Sequence, residues 1–246
     1  MNKYLLLLSL LLPLLWACDQ TTPNNTSTDT PPTTPTPLPT ALDTAEVAQS
    51  TSDNNTFTYD YDTAQWTELI QLEPGILLDM RYATDNNFVK EQMYDCGRCF
   101  LRPAVAKAVA AAHRQLQEGG LGLKMYDCFR PRPIQQKLWD KVPNASYVTP
   151  PAKGSMHNRG AAVDLTIVDA EGKELDMGTD FDFFGRKAHQ DFTDLPENIL
   201  ANRQLLKSTM ASVGLRHIRT EWWHYSFPGK EYELSDMLWL CKESGD

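Results

Sequence analysis

The chain has 246 residues, a formal net charge of −9 and five cysteines. An acidic balance of that size argues against nucleic acid or an anionic lipid face as a partner held by charge. The length suffices for one sizeable domain with a real core, even after the N-terminal targeting segment and linker are set aside.

Lys3 is a minimal positive n-region, and Tyr4 to Trp16 is a Leu-rich run too short to span a bilayer comfortably. It ends in Leu15-Trp16-Ala17-Cys18, which resembles a bacterial lipobox, with cleavage before Cys18 and lipidation of that cysteine. Residues 1–17 therefore read as a lipoprotein-type signal peptide. Residues 18–58, rich in Thr and Pro, read as a disordered linker that buries no apolar surface and propagates no helix. The expectation is an exported, lipid-anchored protein of the bacterial cell envelope on the periplasmic side.

The folded domain is expected over residues 59–246. Ile76 to Tyr82 reads as a strand after the Pro74-Gly75 turn. Pro103 to about Gln117 is an Ala-rich helix, stopped by Gly119-Gly120, with His113 expected on its solvent face. Leu121 to Cys128 is a strand, and a second helix runs from Arg132-Pro133 to about Lys141. Ala161 to Val168 is a strand turned by Ala170-Glu171-Gly172. A helix from Pro196 to about Val213 ends near Gly214, and Leu215 to Phe227 closes the chain as strand and loop. Helices and strands mix without a βαβ repeat, so the fold class is α+β, a mainly antiparallel sheet flanked by helices.

Two short stretches carry candidate chemistry. Ser155 to Asp164 offers an imidazole, His157, and a carboxylate, Asp164; Glu221-Trp222-Trp223-His224 offers one more of each. Two neutral imidazoles and a carboxylate form a sufficient protein shell for one catalytic zinc ion with an open fourth position. Glu221 then remains free to act as a base on water. Asp164 alternates with the apolar Val163 and Leu165, so it takes the opposite face of its strand, where burial without a cation is costly. Arg130 precedes Pro131, which keeps it out of helical geometry. There it reads either as a fixed oxyanion donor or as a surface arginine capping the sheet. His189 reads as structural or pocket-lining, and Trp222-Trp223 as core packing.

Ser155-x-His157-x-x-Gly160-x-Ala162-x-Asp164, Arg130-Pro131, Met177-Gly178-Thr179-x-Phe181-Asp182 and Glu221-x-Trp223-His224, in that combination, resemble the D-alanyl-D-alanine dipeptidase family. These are VanX-type zinc peptidases related to the Hedgehog N-terminal fold and to D,D-carboxypeptidases. The resemblance covers about Gln71 to Phe227 and implies a Hedgehog/DD-peptidase-like fold. It implies one zinc held by His157, Asp164 and His224, with Glu221 as base and Arg130 as transition-state stabiliser. It places Asp182 on the substrate ammonium and Ser155 on the pocket wall. The implied substrate is a small D,D-dipeptide in peptidoglycan turnover; no oligomeric state follows. Rival readings are a zinc carboxypeptidase or endopeptidase on stem peptides, and a non-catalytic zinc-binding lipoprotein. The chain departs from the family in reading Asp-Cys-Phe-Arg-Pro where Gly-Tyr commonly fills the Cys-Phe positions. With Cys18 set aside, Cys96, Cys99, Cys128 and Cys241 allow three connectivities, and Cys96 or Cys99 is the preferred partner of Cys128.

Overall fold

The Ala-rich segment forms a helix because Pro103 suits its first turn and apolar side chains recur at three and four residues along it. This computed structural model describes residues 59–228 and 232–241. The segments expected to be signal peptide and linker, Cys18 included, lie outside the described residues. The helices are α1 (Leu69–Leu72), α2 (Pro103–Gln117), α3 (Arg132–Lys141) and α4 (Glu197–Ser212). The strands are β1 (Thr67–Glu68), β2 (Leu77–Leu78), β3 (Phe100–Leu101), β4 (Gly122–Asp127), β5 (Ala162–Val168), β6 (Arg216–His217) and β7 (His224–Ser226).

A five-stranded sheet has the order β2-β4-β5-β7-β6, and β1 and β3 pair separately. Only the β2–β4 pairing is parallel, so the sheet is mainly antiparallel and the fold α+β, as expected. Helix α2 packs on β4 and α4, and α4 on β5. Val163, Leu165 and Ile167 of β5 are fully buried in the main core. The opposite face of the sheet is left for chemistry.

Two expectations change, and the open cysteine pairing is resolved within the expected alternatives. The strand expected over Ile76 to Tyr82 shrinks to Leu77–Leu78. Asp79 N–H still bonds to Met125 O, but the chain then turns through a 3-10 segment, Arg81–Ala83. The Asp79 carboxylate takes Arg81 Nε at 2.7 Å, and Tyr82 O accepts the N–H groups of Met93 and Tyr94, which fixes that turn. His113 is not on a solvent face: it is 2% exposed, on the same stripe of α2 as Val109, Ala112 and Leu116. Its Nδ1 accepts the Leu123 N–H at 3.1 Å and so ties α2 to β4. The cysteines pair as Cys99–Cys128 and Cys96–Cys241, which makes Cys99 the partner of Cys128.

Candidate metal centre

The sheet register assembles the first part of the site. Asp127 of β4 stands opposite Asp164 of β5, and Asp164 stands opposite His224 of β7. Side chains at paired positions share a face, so these three form one row across three strands. The row depends on an irregularity in β4. Lys124 pairs with Thr166 and Met125 with Leu165, yet the next partner of the sheet, Asp164, meets Asp127 rather than Tyr126. One extra residue in β4 re-aims Asp127 from the core face to the side of Asp164.

His157 reaches the row from a loop. A short 3-10 turn, His157–Arg159, ends at Gly160, whose φ of 67° and closeness to the Trp66 ring (a Cβ would lie 2.4 Å from it) admit only glycine. Asn158 ties the turn down: its Oδ1 accepts from Ser155 N at 2.8 Å and Ser155 Oγ at 3.1 Å, and its Nδ2 donates to Arg130 O at 2.7 Å. His157 Nδ1 lies 2.7 Å from Cys128 O. A carbonyl only accepts, so Nδ1 carries the proton and Nε2 presents a bare lone pair.

That lone pair faces His224 Nδ1 at 3.1 Å and Asp164 Oδ2 at 3.3 Å, while His224 Nδ1 is 2.9 Å from Asp164 Oδ1. A tetrahedral zinc with bonds of about 2.0–2.1 Å sets its donors roughly 3.3 Å apart, so the three edges fit that ion. Among the described residues this is a group of His, Cys, Asp or Glu side chains whose ligand atoms converge for a metal. Asp164 is 4% exposed, and the two imidazoles lie against its carboxylate oxygens. Burial pushes the Asp164 carboxyl up, but the imidazoles against it win and hold it far below the carboxylate range. Burial likewise pulls His157 down, and Asp164 outweighs it so that the net direction is up. Both directions report a carboxylate that demands a cation.

Glu221, His157, Asp164, His224, Arg130 and Asp182 all line one cavity of about 330 Å³. Glu221 Oε2 stands 3.9 Å from His224 Nδ1, outside the ligand triad, and burial raises its carboxyl above the ordinary value despite the imidazole nearby. Asp182 adopts a left-handed φ of 59° and accepts from Tyr82 OH at 3.0 Å. Burial, then the Asp164 charge, raises it well above the carboxylate range. Ser155 lines the same cavity, with its hydroxyl engaged by Asn158.

Arg130 is 9% exposed, which removes the surface-cap alternative. Its Nε and Nη2 donate to Asp127 Oδ2 at 3.0 and 2.6 Å, its Nη1 donates to Gln135 Oε1 at 3.1 Å, and the guanidinium lies over the Tyr82 ring. Asp127 also accepts from Tyr94 OH at 2.9 Å. Sequence reasoning assigned no role to Asp127 or Tyr82; the Asp127-x-x-Arg130 spacing was the available signal. His189 is outside the cavity lining, in a surface network with Arg186, Arg219 and Asp191, and His217 on β6 is exposed. Trp222 and Trp223 are buried; Trp222 Nε1 donates to Thr179 Oγ1, and Trp223 also forms part of the cavity wall.

Three converging donors, with a glutamate and a guanidinium across the cavity, are laid out as in a mononuclear metallopeptidase. The family model described as D-ala-D-ala dipeptidase, peptidase M15, matches residues 62–238, and the chain belongs to that family. Among curated relatives, a D-alanyl-D-alanine dipeptidase of Escherichia coli is 35% identical over 167 residues, covering 68% of this chain and 86% of that one. The protein of that name from Enterococcus faecalis is 29% identical, covering 64% and 89%, and that from Streptomyces coelicolor 31%, covering 67% and 92%.

Proposed function

We propose that this protein is a zinc dipeptidase that hydrolyses D-Ala-D-Ala and related D,D-dipeptides. His157 Nε2, Asp164 and His224 Nδ1 would hold the ion. When bound, zinc would supply Lewis acidity to the scissile carbonyl and lower the pKa of a bound water to about 7. Glu221 takes the proton of the attacking water and delivers it to the leaving amine; its raised pKa suits both transfers. Arg130 donates one bond each from Nε, Nη1 and Nη2 to Asp127 and Gln135, and a guanidinium has five N–H groups, so N–H groups remain to face the oxygen that gathers charge. Asp182 is a half-buried carboxylate whose bonded partner is a neutral phenol, and the substrate's ammonium is the cation that would restore its charge. Ser155 lines the wall beside His157.

The convergence of the three donors beside Glu221 carries this reading. The cavity, about 330 Å³, is at the lower end of the size range for ligand pockets, which suits a dipeptide better than a stem peptide. A zinc-loaded sample assayed on a D,D-dipeptide panel and on D-Ala-terminated stem peptides tests it. Cleavage of D-Ala-D-Ala with stem peptides untouched is expected. Preferential stem-peptide cleavage would make the protein a carboxypeptidase, and no hydrolysis of either would make it a binding protein.

We further propose that Cys18 carries a lipid and that the domain works outside the cytoplasm, in the cell envelope. The signal-like segment ending at Cys18 supports this, as does the use of all four domain cysteines in disulfides, which persist in oxidising compartments. Cys18→Ser should move the protein from the membrane fraction to the soluble fraction; unchanged fractionation would refute the anchor.

A further inference from the structure

The two disulfides differ in what they touch. Cys96–Cys241 joins the C-terminal segment to a loop and is partly exposed. Cys99–Cys128 is fully buried and crosses from the residue before β3 to the residue after β4. Cys99 is itself anchored, its carbonyl accepting Leu69 N–H at 2.8 Å. Cys128 supplies the carbonyl that accepts His157 Nδ1–H at 2.7 Å. The next two residues continue the connection: Phe129 N–H donates to Phe100 O at 3.0 Å, and Arg130 N–H donates to His157 O at 3.1 Å. One short segment therefore touches a metal-ligand candidate at two points and carries the guanidinium.

The alternative acceptor for His157 Nδ1 is close by. Asp127 Oδ2 lies 3.6 Å away, beyond hydrogen-bond range, and already takes two bonds from Arg130. A small shift of the Cys128 peptide would release the ring from the carbonyl and set it competing with Arg130 for Asp127. We propose that the Cys99–Cys128 bridge is a positioning device for the metal centre: it fixes the Cys128 carbonyl, and with it the tautomer and ring orientation of His157 and the seat of Arg130. The bond acts through its neighbours and touches neither ion nor substrate. The inference rests on the reading of His157 as a zinc ligand.

The test compares two paired variants of the full chain, Cys99→Ala/Cys128→Ala and Cys96→Ala/Cys241→Ala. Zinc affinity is read by competition with a chromogenic chelator, kcat and KM on D-Ala-D-Ala, unfolding by circular dichroism, and the His157 tautomer by nitrogen-15 imidazole NMR. Loss of an outer partner of a metal-bound histidine typically weakens metal affinity or activity by about 10–100-fold. The inner variant should weaken zinc by that factor, lower kcat more than it raises KM, and lose the single Nδ1–H tautomer. The outer pair encloses 145 residues of chain against 29 for the inner, so on chain entropy alone its loss destabilises more. It should nevertheless keep parent-like zinc affinity and kcat. Should the alanine pair fail to fold, Cys99→Val/Cys128→Ala refills most of the space and takes the same measurements. An inner variant with parent zinc affinity, kcat and tautomer overturns the proposal, as do equal losses of zinc affinity in both pairs. If the parent itself binds no zinc, the ligand reading of His157 fails and this proposal falls with it; a zinc-binding parent matched by the inner variant sinks only the proposal.

Discussion

Arg130→Ala separates the observed pairing of one side chain with Asp127 from the oxyanion role proposed for it. The guanidinium neutralises Asp127, which is 0% exposed, through contacts of 3.0 and 2.6 Å. Removing it leaves a buried carboxylate with Tyr94 OH as its remaining hydrogen-bond donor. Breaking a buried pair in this way costs about 3–5 kcal/mol. For a domain of this size that corresponds to a fall in Tm of roughly 6–20 °C. The catalytic loss is separate: one oxyanion donor is worth about 2.7–4 kcal/mol, or a 10²–10³-fold fall in kcat. The second substitution Asp127→Asn, added to Arg130→Ala, removes the orphaned charge and keeps an acceptor for Tyr94. The double variant should recover about half of the lost stability or more and none of the lost turnover. Unfolding curves and steady-state kinetics on D-Ala-D-Ala read the two axes. Parent-like turnover in Arg130→Ala would refute the oxyanion role, and a double variant no more stable than the single would refute the role of Arg130 in neutralising Asp127.

Other substitutions test the remaining parts of the site. Glu221→Gln should bind zinc at parent stoichiometry while kcat falls by about 10²–10⁴-fold, measured by metal analysis and kinetics; a zinc-free variant would instead mark Glu221 as a ligand. Zinc at about 100 times its Kd should raise Tm by roughly 5–11 °C over the chelated protein, and His224→Ala should abolish that shift. His113 is buried, and burial lowers its pKa below the ordinary 6.5, so the unfolded chain binds that proton more readily. The stability contributed by its neutral ring is full above about 6.5 and erodes as pH falls. The stability advantage of the parent over His113→Gln should therefore shrink between about pH 7 and 5 in urea titrations, and a pH-independent difference would count against the assignment.

The ligand-bearing stretches were legible because imidazoles and carboxylates at close spacing leave a direct trace in the sequence. Alternation along Val163-Asp164-Leu165 was enough to turn Asp164 away from the core. Asp127 left no such trace. In a regular strand it would share a face with Met125, and the extra residue that reverses its aim is a property of the pairing with β5. His113 misled because alanines dominate α2 and a ring among them looks like a polar surface residue. Its partner, the Leu123 N–H, comes from another element. The partner of Cys128 was open for the same reason: bridges join residues distant in sequence, and only the packing of β3 beside the end of β4 selects Cys99 over Cys96.

The irregular rung in β4 gives the protein an unusual kind of fragility. A regular register at this point, with Tyr126 rather than Asp127 opposite Asp164, would alter none of the proposed ligands, the proposed base or the cysteines, yet it would turn Asp127 into the hydrophobic interior and leave Arg130 without its counter-charge. A slip in pairing at that point, with no change in composition, would silence the enzyme as surely as replacing a metal ligand. Any chimera assembled from related strands must therefore conserve the pairing of this segment with β5 before its chemistry.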